Sequence, residues 1–230
     1  MFKEIHFSKI PSTHVHAIDH FKDYEGQFVF IGAKEQTAGV GRKGDKWHSS
    51  GDNLVGTFIF PLPKTDTSNL AQLLASSLIK VIEKFALVPL FKWPNDILLS
   101  YRKVAGVMAD IKESTAIVSI GMNVNMTKQE LEKIDIPATS LSDELRHPIS
   151  VATIKHDLLI QFFNDLTLFQ AKGFEPFFSS FAAKLAFKGK LANAGAIQGR
   201  IEALNRDGRL ILNSKGTSTL VSTSSLEILN

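Results

Sequence analysis

The sequence predicts an α+β fold in which helices flank a mixed β-sheet and a small β-rich module follows at the C-terminus. Helical and strand patterns interleave along the chain without a regular βαβ rhythm, which favours a mixed sheet over a doubly wound one. After about Phe187 the pattern changes to short strands and turns. Because 230 residues suffice for one large domain and one small domain, we expect a boundary between residues 1–185 and 186–230.

Two segments carry apolar residues at helical spacing. The first extends from Leu70 to Phe85, and Ser68 before it is the predicted N-cap. The second extends from Val151 to Phe169 and follows Ser150, which is also a predicted N-cap. Each helix would lay one apolar face on the sheet, so the simplest interpretation of both stripes is hydrophobic core.

The strand candidates are short segments rich in β-branched and aromatic residues. In the first part of the chain they are Phe28–Ile31, Leu54–Phe60, Leu90–Trp93, Ile97–Ser100, Val104–Ala109 and Ala116–Ile120. In the C-terminal module they are Ile197–Leu204, Arg209–Leu212 and Thr219–Ser222. Asn205-Arg206-Asp207-Gly208 and Lys215-Gly216 are hairpin-turn signals between these last strands.

Composition and charge exclude several classes of function. The chain has no cysteine, which excludes disulfides, a thiolate nucleophile and cysteine-bound zinc. The net charge of +3, from 26 Lys and Arg against 23 Asp and Glu, is too mild to indicate nucleic acid as a partner. There is no apolar run of the length of a membrane span and no signal-peptide pattern. We therefore expect a cytoplasmic protein without a membrane partner.

A glycine-rich, cationic segment extends from Gly39 to Trp47. It contains a formal GxGxxG pattern, but the residues after Trp47 look like a loop and not the helix that a dinucleotide site needs. Glycines let backbone N–H groups close around an anion, and Arg42, Lys43 and Lys46 suit phosphate or carboxylate. Trp47 offers a face on which adenine could stack. The alternative is a solvated surface loop.

A second segment, Lys92-Trp93-Pro94-Asn95-Asp96-Ile97, is a turn between two predicted strands. It brings Lys92, Asp96 and the later Lys103 near one another at strand ends. A carboxylate there could help to hold hydrated magnesium, and a lysine could stabilise charge on a phosphoryl group. By itself the segment is also compatible with an ordinary hairpin loop.

A third segment, Gly121-Met122-Asn123-Val124-Asn125, follows a strand. Glycine at a strand end allows a ligand to approach the backbone closely. The amide of Asn123 has both donors and an acceptor, which suits an adenine edge, although asparagine is also a common turn former.

In this order and spacing, the three segments resemble the catalytic part of biotin protein ligases. That family shows a Gly-Arg-Gly-Arg-x-Gly-Arg-x-Trp loop, a Lys-Trp-Pro-Asn-Asp segment followed by Lys-x-Ala-Gly, and a Gly-Ile-Asn-Val-Asn segment. Ser12-Thr13-His14 looks like its Ser-Thr-Asn, and Gln36 lies where the family has glutamine before the loop. The resemblance covers roughly residues 8–230. The chain departs from the pattern at His14, Val40 and Asp45.

The resemblance implies a class II synthetase-like catalytic domain over 1–185 and a small SH3-like β-barrel over 186–230. It implies an enzyme that uses ATP, biotin and Mg²⁺ to form biotinyl-5′-AMP and then biotinylates a lysine of a biotin carboxyl carrier domain. By position, Lys103 and Arg42 would be catalytic, and Asp96 would hold the metal. Biotin would contact Ser12, Thr13, His14, Gln36, Val40, Gly41, Arg42 and Lys103. The nucleotide would contact Gly39, Lys43, Gly44, Trp47, Lys92, Asn95, Asp96, Gly121 and Asn123.

Two alternatives and two further expectations accompany this interpretation. Lipoate ligases and octanoyl transferases resemble biotin ligases in fold, and a sensor of biotin or nucleotide would need no catalysis. Some relatives carry an N-terminal helix-turn-helix domain that binds DNA, but the motifs here begin near Ser12, so we expect the stand-alone form. A homodimer is left open by the sequence.

Overall fold

The computed structural model describes residues 2–48, 52–222 and 224–229, so part of the loop predicted after Trp47 lies outside the described residues. A seven-stranded mixed sheet forms its centre. In chain order the strands are β1 (Lys3–Ile10), β2 (Val29–Gln36), β3 (Leu54–Pro61), β4 (Leu90–Lys92), β5 (Asp96–Leu99), β6 (Arg102–Lys112) and β7 (Thr115–Met122). Their spatial order is β1-β2-β3-β7-β6-β5-β4, with only β1 and β2 parallel among these pairs. The predicted α+β class with a mixed sheet is confirmed.

Helices cover both faces of this sheet. The helices are α1 (Thr13–Asp19), α2 (Leu70–Glu83), α3 (Lys128–Leu131), α4 (Leu141–Leu145), α5 (Val151–Lys172) and α6 (Glu175–Ala182), with 3-10 turns at Phe21–Tyr24 and Arg42–Gly44. The apolar stripes of α2 and α5 pack together over the main core. On the opposite face, Ala17 of α1 packs against a smaller cluster with Ile31 and Ile117. No helix in the described part of the chain is long and apolar enough to cross a membrane.

The contact between α2 and α5 contains a buried carboxylate. Asp165 accepts hydrogen bonds from Ser77 Oγ at 2.7 Å, Lys80 Nζ at 2.8 Å and Gln161 Nε2 at 3.1 Å. These partners offset the cost of removing the charge from water. The pair of helices therefore has a specific polar contact within an apolar interface.

The sequence located most of the elements but not all of their boundaries. All six strand candidates of the first part match strands, and the Ser150 N-cap is confirmed by its Oγ, which accepts from Thr153 N. The Ser68 N-cap is wrong, because α2 begins after Asn69. Ser68 N instead donates to Asp66 Oδ1, which places Ser68 in the preceding turn. Strand β1 and helices α1, α3, α4 and α6 were not predicted; their apolar patterns are short or interrupted.

The C-terminal residues form a second, antiparallel sheet of five strands. They are β8 (Leu191–Ala194), β9 (Ile197–Leu204), β10 (Leu210–Ser214), β11 (Thr217–Val221) and β12 (Leu226–Ile228), in the spatial order β11-β10-β9-β8-β12. Both predicted turns are confirmed. Gly208 has a φ of 79° in the turn between β9 and β10, and Lys215 and Gly216 have φ of 50° and 86° between β10 and β11. Two successive positive φ values are typical of a type I′ hairpin.

The turn at Gly208 joins the two sheets. Its carbonyl oxygen accepts hydrogen bonds from Trp93 Nε1 at 3.1 Å and from Gln72 Nε2 at 2.8 Å. Both donors come from residues before the C-terminal sheet, and both are buried. A side chain at position 208 would overlap the Gln72 amide. The absence of a side chain is therefore needed for this contact.

We predict that Gly208→Ala destabilises the protein more than Gly216→Ala. Both glycines have positive φ, so each substitution carries a backbone cost of about 1 kcal/mol. A Cβ at Gly208 also forces the Gln72 side chain away, which adds about 1–3 kcal/mol to the loss of stability. A Cβ at Gly216 meets nothing within 4 Å, so Gly216→Ala has no such additional cost. Denaturant unfolding of both variants measures the difference. Equal losses of stability would show that the Gly208 contact contributes nothing to the junction.

Candidate functional site

A cavity with a volume of about 300 Å³ lies where the glycine-rich loop meets the ends of the central strands. That volume is in the range of small-molecule sites. The start of α1, the end of β2, the turn between β4 and β5, and strands β6 and β7 each supply part of its wall. Of the predicted site residues, it is lined by Thr13, His14, Gln36, Val40, Gly41, Arg42, Lys43, Trp47, Lys92, Asn95, Asp96, Lys103 and Gly121.

One end of the cavity is formed by uncharged hydrogen-bonding groups. Thr13 donates to Gln36 Oε1 through its backbone N at 2.8 Å and through Oγ1 at 3.1 Å. Behind it, Thr57 Oγ1 donates to Thr13 Oγ1 at 3.0 Å and lies 2.8 Å from Ser119 Oγ. Helix α1 positions Thr13, because the Ser12 side chain caps that helix by accepting from Val15 N. This end suits a neutral ligand group that has both N–H donors and a carbonyl.

His14 extends this polar end. Its Nδ1 lies 2.7 Å from Ser119 Oγ, and its Nε2 lies 3.0 Å from Asp110 Oδ2. Burial lowers the pKa of His14 below its usual value, and the Asp110 carboxylate opposes that shift without reversing it. The ring is therefore neutral near pH 7, which suits a residue of the pocket wall.

The other end of the cavity is cationic. Lys103 Nζ lies 2.7 Å from Asp96 Oδ1, and their side chains are only 20% and 17% exposed. Asp96 Oδ1 is buried, so the Lys103 ammonium is the group that balances its charge. Strand β6 places Lys103 beside Asp96 because the register of β5 and β6 shifts between Ile97 and Leu98. Arg42, Lys43, Lys46 and Lys92 add positive charge around the same space. Such an end suits phosphate or carboxylate.

The glycine-rich loop is closed by its own backbone. Trp47 N donates to Gly39 O at 2.9 Å, and Gly41 N donates to Asp45 O at 2.6 Å. Arg42 Nη1 reaches Asn95 Oδ1 at 3.4 Å and Ser224 O at 3.5 Å, so the loop contacts both the β4–β5 turn and the C-terminal segment. These contacts place the Arg42 guanidinium over the cavity.

Trp47 packs against Gly121 and Lys103. A side chain at position 121 would overlap the indole ring, and Lys103 Nζ lies 5.6 Å from the ring centroid. The indole Nε1 is buried and has no hydrogen-bond partner among the described residues. An unpaired buried donor is costly unless a ligand accepts from it. Trp47 is therefore a candidate ligand contact both through its face and through its N–H.

Four predicted site residues do not line this cavity. Ser12 is buried as the cap of α1, and Gly39 lies against the Trp47 carbonyl. Gly44 stands at the tip of the loop with a φ of 83° and open space around it. Asn123 is buried, and its Nδ2 donates to Thr139 O at 3.0 Å. The geometry favours a structural contact for Asn123, and its predicted role toward adenine stays a prediction.

Several lining residues were not singled out by the sequence analysis. Ser119 lies on β7 two residues before Gly121, so the period of two in a strand places both on one face. That spacing was a usable signal. Ile136, Ser225 and Leu226 come from distant parts of the chain, and no local pattern connects them with the motifs.

The sequence matches a family model that covers more than half of the chain. Residues 5–125 match the model described as "Biotin/lipoate A/B protein ligase family". The chain belongs to this family. The matched residues contain all three motif segments and most of the cavity wall.

Within this family the chain resembles proteins described as ligases. It is 31% identical over 162 residues to the "Bifunctional ligase/repressor BirA" of Bacillus subtilis, covering 66% of this chain and 49% of that protein. It is 27% identical over 201 residues to the "Biotin--[acetyl-CoA-carboxylase] ligase" of Paracoccus denitrificans, covering 80% of this chain and 83% of that protein. This chain thus spans about half the length of the Bacillus subtilis protein.

The fold matches that of a solved family member. A biotin protein ligase from Aquifex aeolicus, in complex with biotin and ATP, aligns over 100% of this chain and 99% of its own with a TM-score of 0.86 and 23% identity. At that identity the likeness establishes the fold alone. The large sheet and the C-terminal sheet are both included in the aligned length.

We predict that Gly121→Ala displaces the Trp47 ring from its place beside Lys103. The added methyl group overlaps the indole, so the ring must turn toward solvent and its fluorescence should shift to longer wavelength. Gly106→Ala is the matched control, because a Cβ there meets Asp96 and Lys103 only at 3.4 Å. An unchanged spectrum for Gly121→Ala would contradict the packing of Trp47 described above.

Proposed function

We propose that this chain is an ATP-dependent biotin protein ligase. The observation that carries the proposal is a single cavity with a neutral hydrogen-bonding end, at Thr13 and Gln36, and a cationic end, at Lys103 and Arg42. Biotin has the same division, because its ureido group is neutral and polar while its valerate carboxylate is an anion. The relatives that are described as biotin ligases support the choice of substrate.

In the first step, an oxygen of the biotin carboxylate attacks the α-phosphorus of ATP. The new O–P bond replaces the bond to the β-phosphate, and pyrophosphate leaves, so biotinyl-5′-AMP is formed. Two anions must approach each other, and fixed cations reduce their repulsion. Lys103 and Arg42 would do this at the reacting atoms, while Lys43, Lys46 and Lys92 would hold the other phosphates. Alignment and charge stabilisation suffice, since no covalent enzyme intermediate is needed.

In the second step, the neutral ε-amine of a lysine on a biotin carboxyl carrier domain attacks the acyl carbon of the adenylate. An amide bond forms, AMP leaves and the amine proton passes to solvent. A wider groove of about 810 Å³ shares Arg42, Lys43 and Asn95 with the cavity and extends to Asp207 and Arg209. This groove gives the carrier a route to the mixed anhydride.

Magnesium remains a prediction. The described residues contain no group of three histidine, cysteine or carboxylate side chains that could hold a metal ion. Asp96 is a single carboxylate and is already paired with Lys103. Magnesium commonly binds through one or two carboxylates together with nucleotide phosphates and water, which is compatible with Asp96 as the one protein ligand. No step is derived through the metal.

Several finer assignments belong to the same proposal. The large domain, 1–185, would be the class II synthetase-like catalytic unit, and the five-stranded sheet in 186–230 would be the SH3-like barrel of the family. We propose a cytoplasmic enzyme without a nucleic-acid or membrane partner. A homodimer remains open. Lipoate is the competing substrate, and ATP-dependent consumption of biotin against lipoate distinguishes the two.

We predict that Lys103→Ala lowers the rate of adenylate formation about 100- to 1,000-fold, which corresponds to about 3 kcal/mol of lost charge stabilisation. The measurement is pyrophosphate release with biotin and ATP, followed by incorporation of labelled biotin into a carrier domain. Lys112→Ala, on the exposed part of the same strand, is the matched control and should retain the wild-type rate. Wild-type pyrophosphate release by a folded Lys103→Ala protein would refute the role of Lys103.

We predict that Trp47→Ala weakens ATP binding more than biotin binding. Loss of an aromatic face costs about 1–3 kcal/mol by analogy with base stacking. Trp47→Phe keeps a ring but removes the unpaired N–H, so it separates stacking from hydrogen bonding. Calorimetric titration of each ligand measures both effects. If biotin affinity falls while ATP affinity is retained, Trp47 is not the adenine platform.

A further inference from the structure

A continuous chain of hydrogen-bonding groups extends from the surface along the neutral end of the cavity. It passes from Asp110 through the His14 ring to Ser119, Thr57, Thr13 and Gln36. The five successive contacts measure 3.0, 2.7, 2.8, 3.0 and 3.1 Å. Asp110 is half exposed, whereas His14 and Ser119 are buried. The number of hydrogens in this hydrogen-bonded series decides which donors and acceptors remain for a ligand.

The groups at the two ends of this hydrogen-bonded series, Asp110 and Gln36, are both acceptors. Asp110 is a carboxylate, and the Gln36 oxygen is identified by the Thr13 backbone N–H that donates to it at 2.8 Å. Five contacts therefore need five hydrogens. The three hydroxyls supply one hydrogen each, and a neutral imidazole supplies one more, which makes four. Only an imidazolium at His14 would supply the fifth.

The neutral form thus leaves one contact without a hydrogen. The Asp110 carboxylate selects the Nε2–H tautomer of His14, so Nδ1 must accept from Ser119 Oγ–H. Thr57 donates to Thr13. The remaining contact, between Ser119 Oγ and Thr57 Oγ1, then has lone pairs on both sides. Of these two oxygens, Ser119 Oγ belongs to a residue that lines the cavity.

We propose that His14, held by Asp110, is a positioning residue that keeps Ser119 Oγ open as an acceptor for an N–H group of the bound ligand. This inference rests on the proposed function, because it takes the ureido N–H of biotin as that donor. When His14 is protonated, Nδ1–H donates to Ser119 and the Ser119 hydrogen turns toward Thr57. Each of the five contacts then contains one hydrogen. Ser119 Oγ accepts from His14, so it has one lone pair fewer for the N–H group of the ligand.

The charged group in direct contact with His14 is Asp110. Asp110 on β6 is the charged group that acts on the His14 pKa, and burial lowers that pKa despite it. The hydroxyl of Ser119 on β7 faces Nδ1. The other charged side chains that line the cavity and the wider groove are Arg42, Lys43, Asp45, Lys46, Asp66, Lys92, Asp96, Lys103, Asp207 and Arg209.

Protonation of His14 and binding of the N–H donor oppose each other. Biotin binding should therefore be full above the His14 pKa and weaken as the pH falls through it. One hydrogen bond of ordinary strength corresponds to a loss of about 5- to 10-fold in affinity. The carboxylate of biotin stays mostly ionised down to about pH 5, so the loss arises from the protein.

The test is calorimetric titration of biotin alone, from pH 8 to pH 5, into the full-length protein and three variants. Wild type should lose affinity as the pH falls, approaching a loss of about 5- to 10-fold once His14 is protonated. His14→Gln should abolish this pH dependence, because the amide of glutamine does not gain or lose a proton between pH 8 and pH 5. Asp110→Asn should move the loss to lower pH, because the lost carboxylate no longer raises the His14 pKa. His16→Gln is the matched control, since His16 is on the same helix but contacts Tyr24, and it should follow the wild-type curve.

A ligand-free measurement separates this inference from the proposed function. Nitrogen NMR of the His14 ring should show the Nε2–H tautomer at pH 8, and the finding of hydrogen on Nδ1 instead would overturn the assignment. Wild-type pH dependence in His14→Gln would overturn it as well. If biotin fails to bind wild type at every pH, the proposed function fails, while the NMR result still decides the direction of the hydrogen bonds.

Discussion

The ion pair between Lys103 and Asp96 is the contact on which the cationic end of the cavity depends. Five cationic side chains line that cavity, and they repel one another. Both partners of the pair are largely shielded from water, so their attraction is screened less than that of a surface pair. Lys103 in turn lies beside the Trp47 ring, and that ring fits only because Gly121 has no side chain. One charge pair therefore fixes the lysine, the aromatic wall and the strand end together.

The two ends of the cavity rest on different kinds of force. The cationic end is held by charge and by the closed loop between Gly39 and Trp47. The neutral end is held by short hydrogen bonds among hydroxyls, an amide and an imidazole, each with a defined partner. Buried networks of this kind are sensitive to the position of each hydrogen, because a missing one leaves lone pairs facing each other. Such a division suits a ligand with one neutral polar ring and one anionic arm.

The C-terminal sheet contributes to the site as well as to the fold. The Gly208 carbonyl accepts from Trp93, which directly precedes the Pro94-Asn95-Asp96 turn of the cavity wall. Ser224 O and Ser225 Oγ lie 3.5 Å from Arg42 and Lys43 of the loop. The C-terminal sheet thus contacts the first two of the three motif segments. These contacts give a physical reason why a β-rich unit too small to be very stable alone accompanies the larger sheet.

The motifs and their resemblance to a known family supplied the predicted cavity residues. The sequence by itself determined the class of the fold, the strands around the motifs and the two C-terminal turns. It could do so because strand alternation, helix periodicity and glycine conformation are local properties. The tertiary structure decided the rest, because it depends on groups far apart in the chain. Asn123 is a clear case, because the motif alone does not show that the Asn123 amide donates to the Thr139 carbonyl. The pairing of Lys103 with Asp96, and of His14 with Asp110 and Ser119, likewise arises only when strands meet, and these pairings decide which charges and hydrogens are available to a ligand.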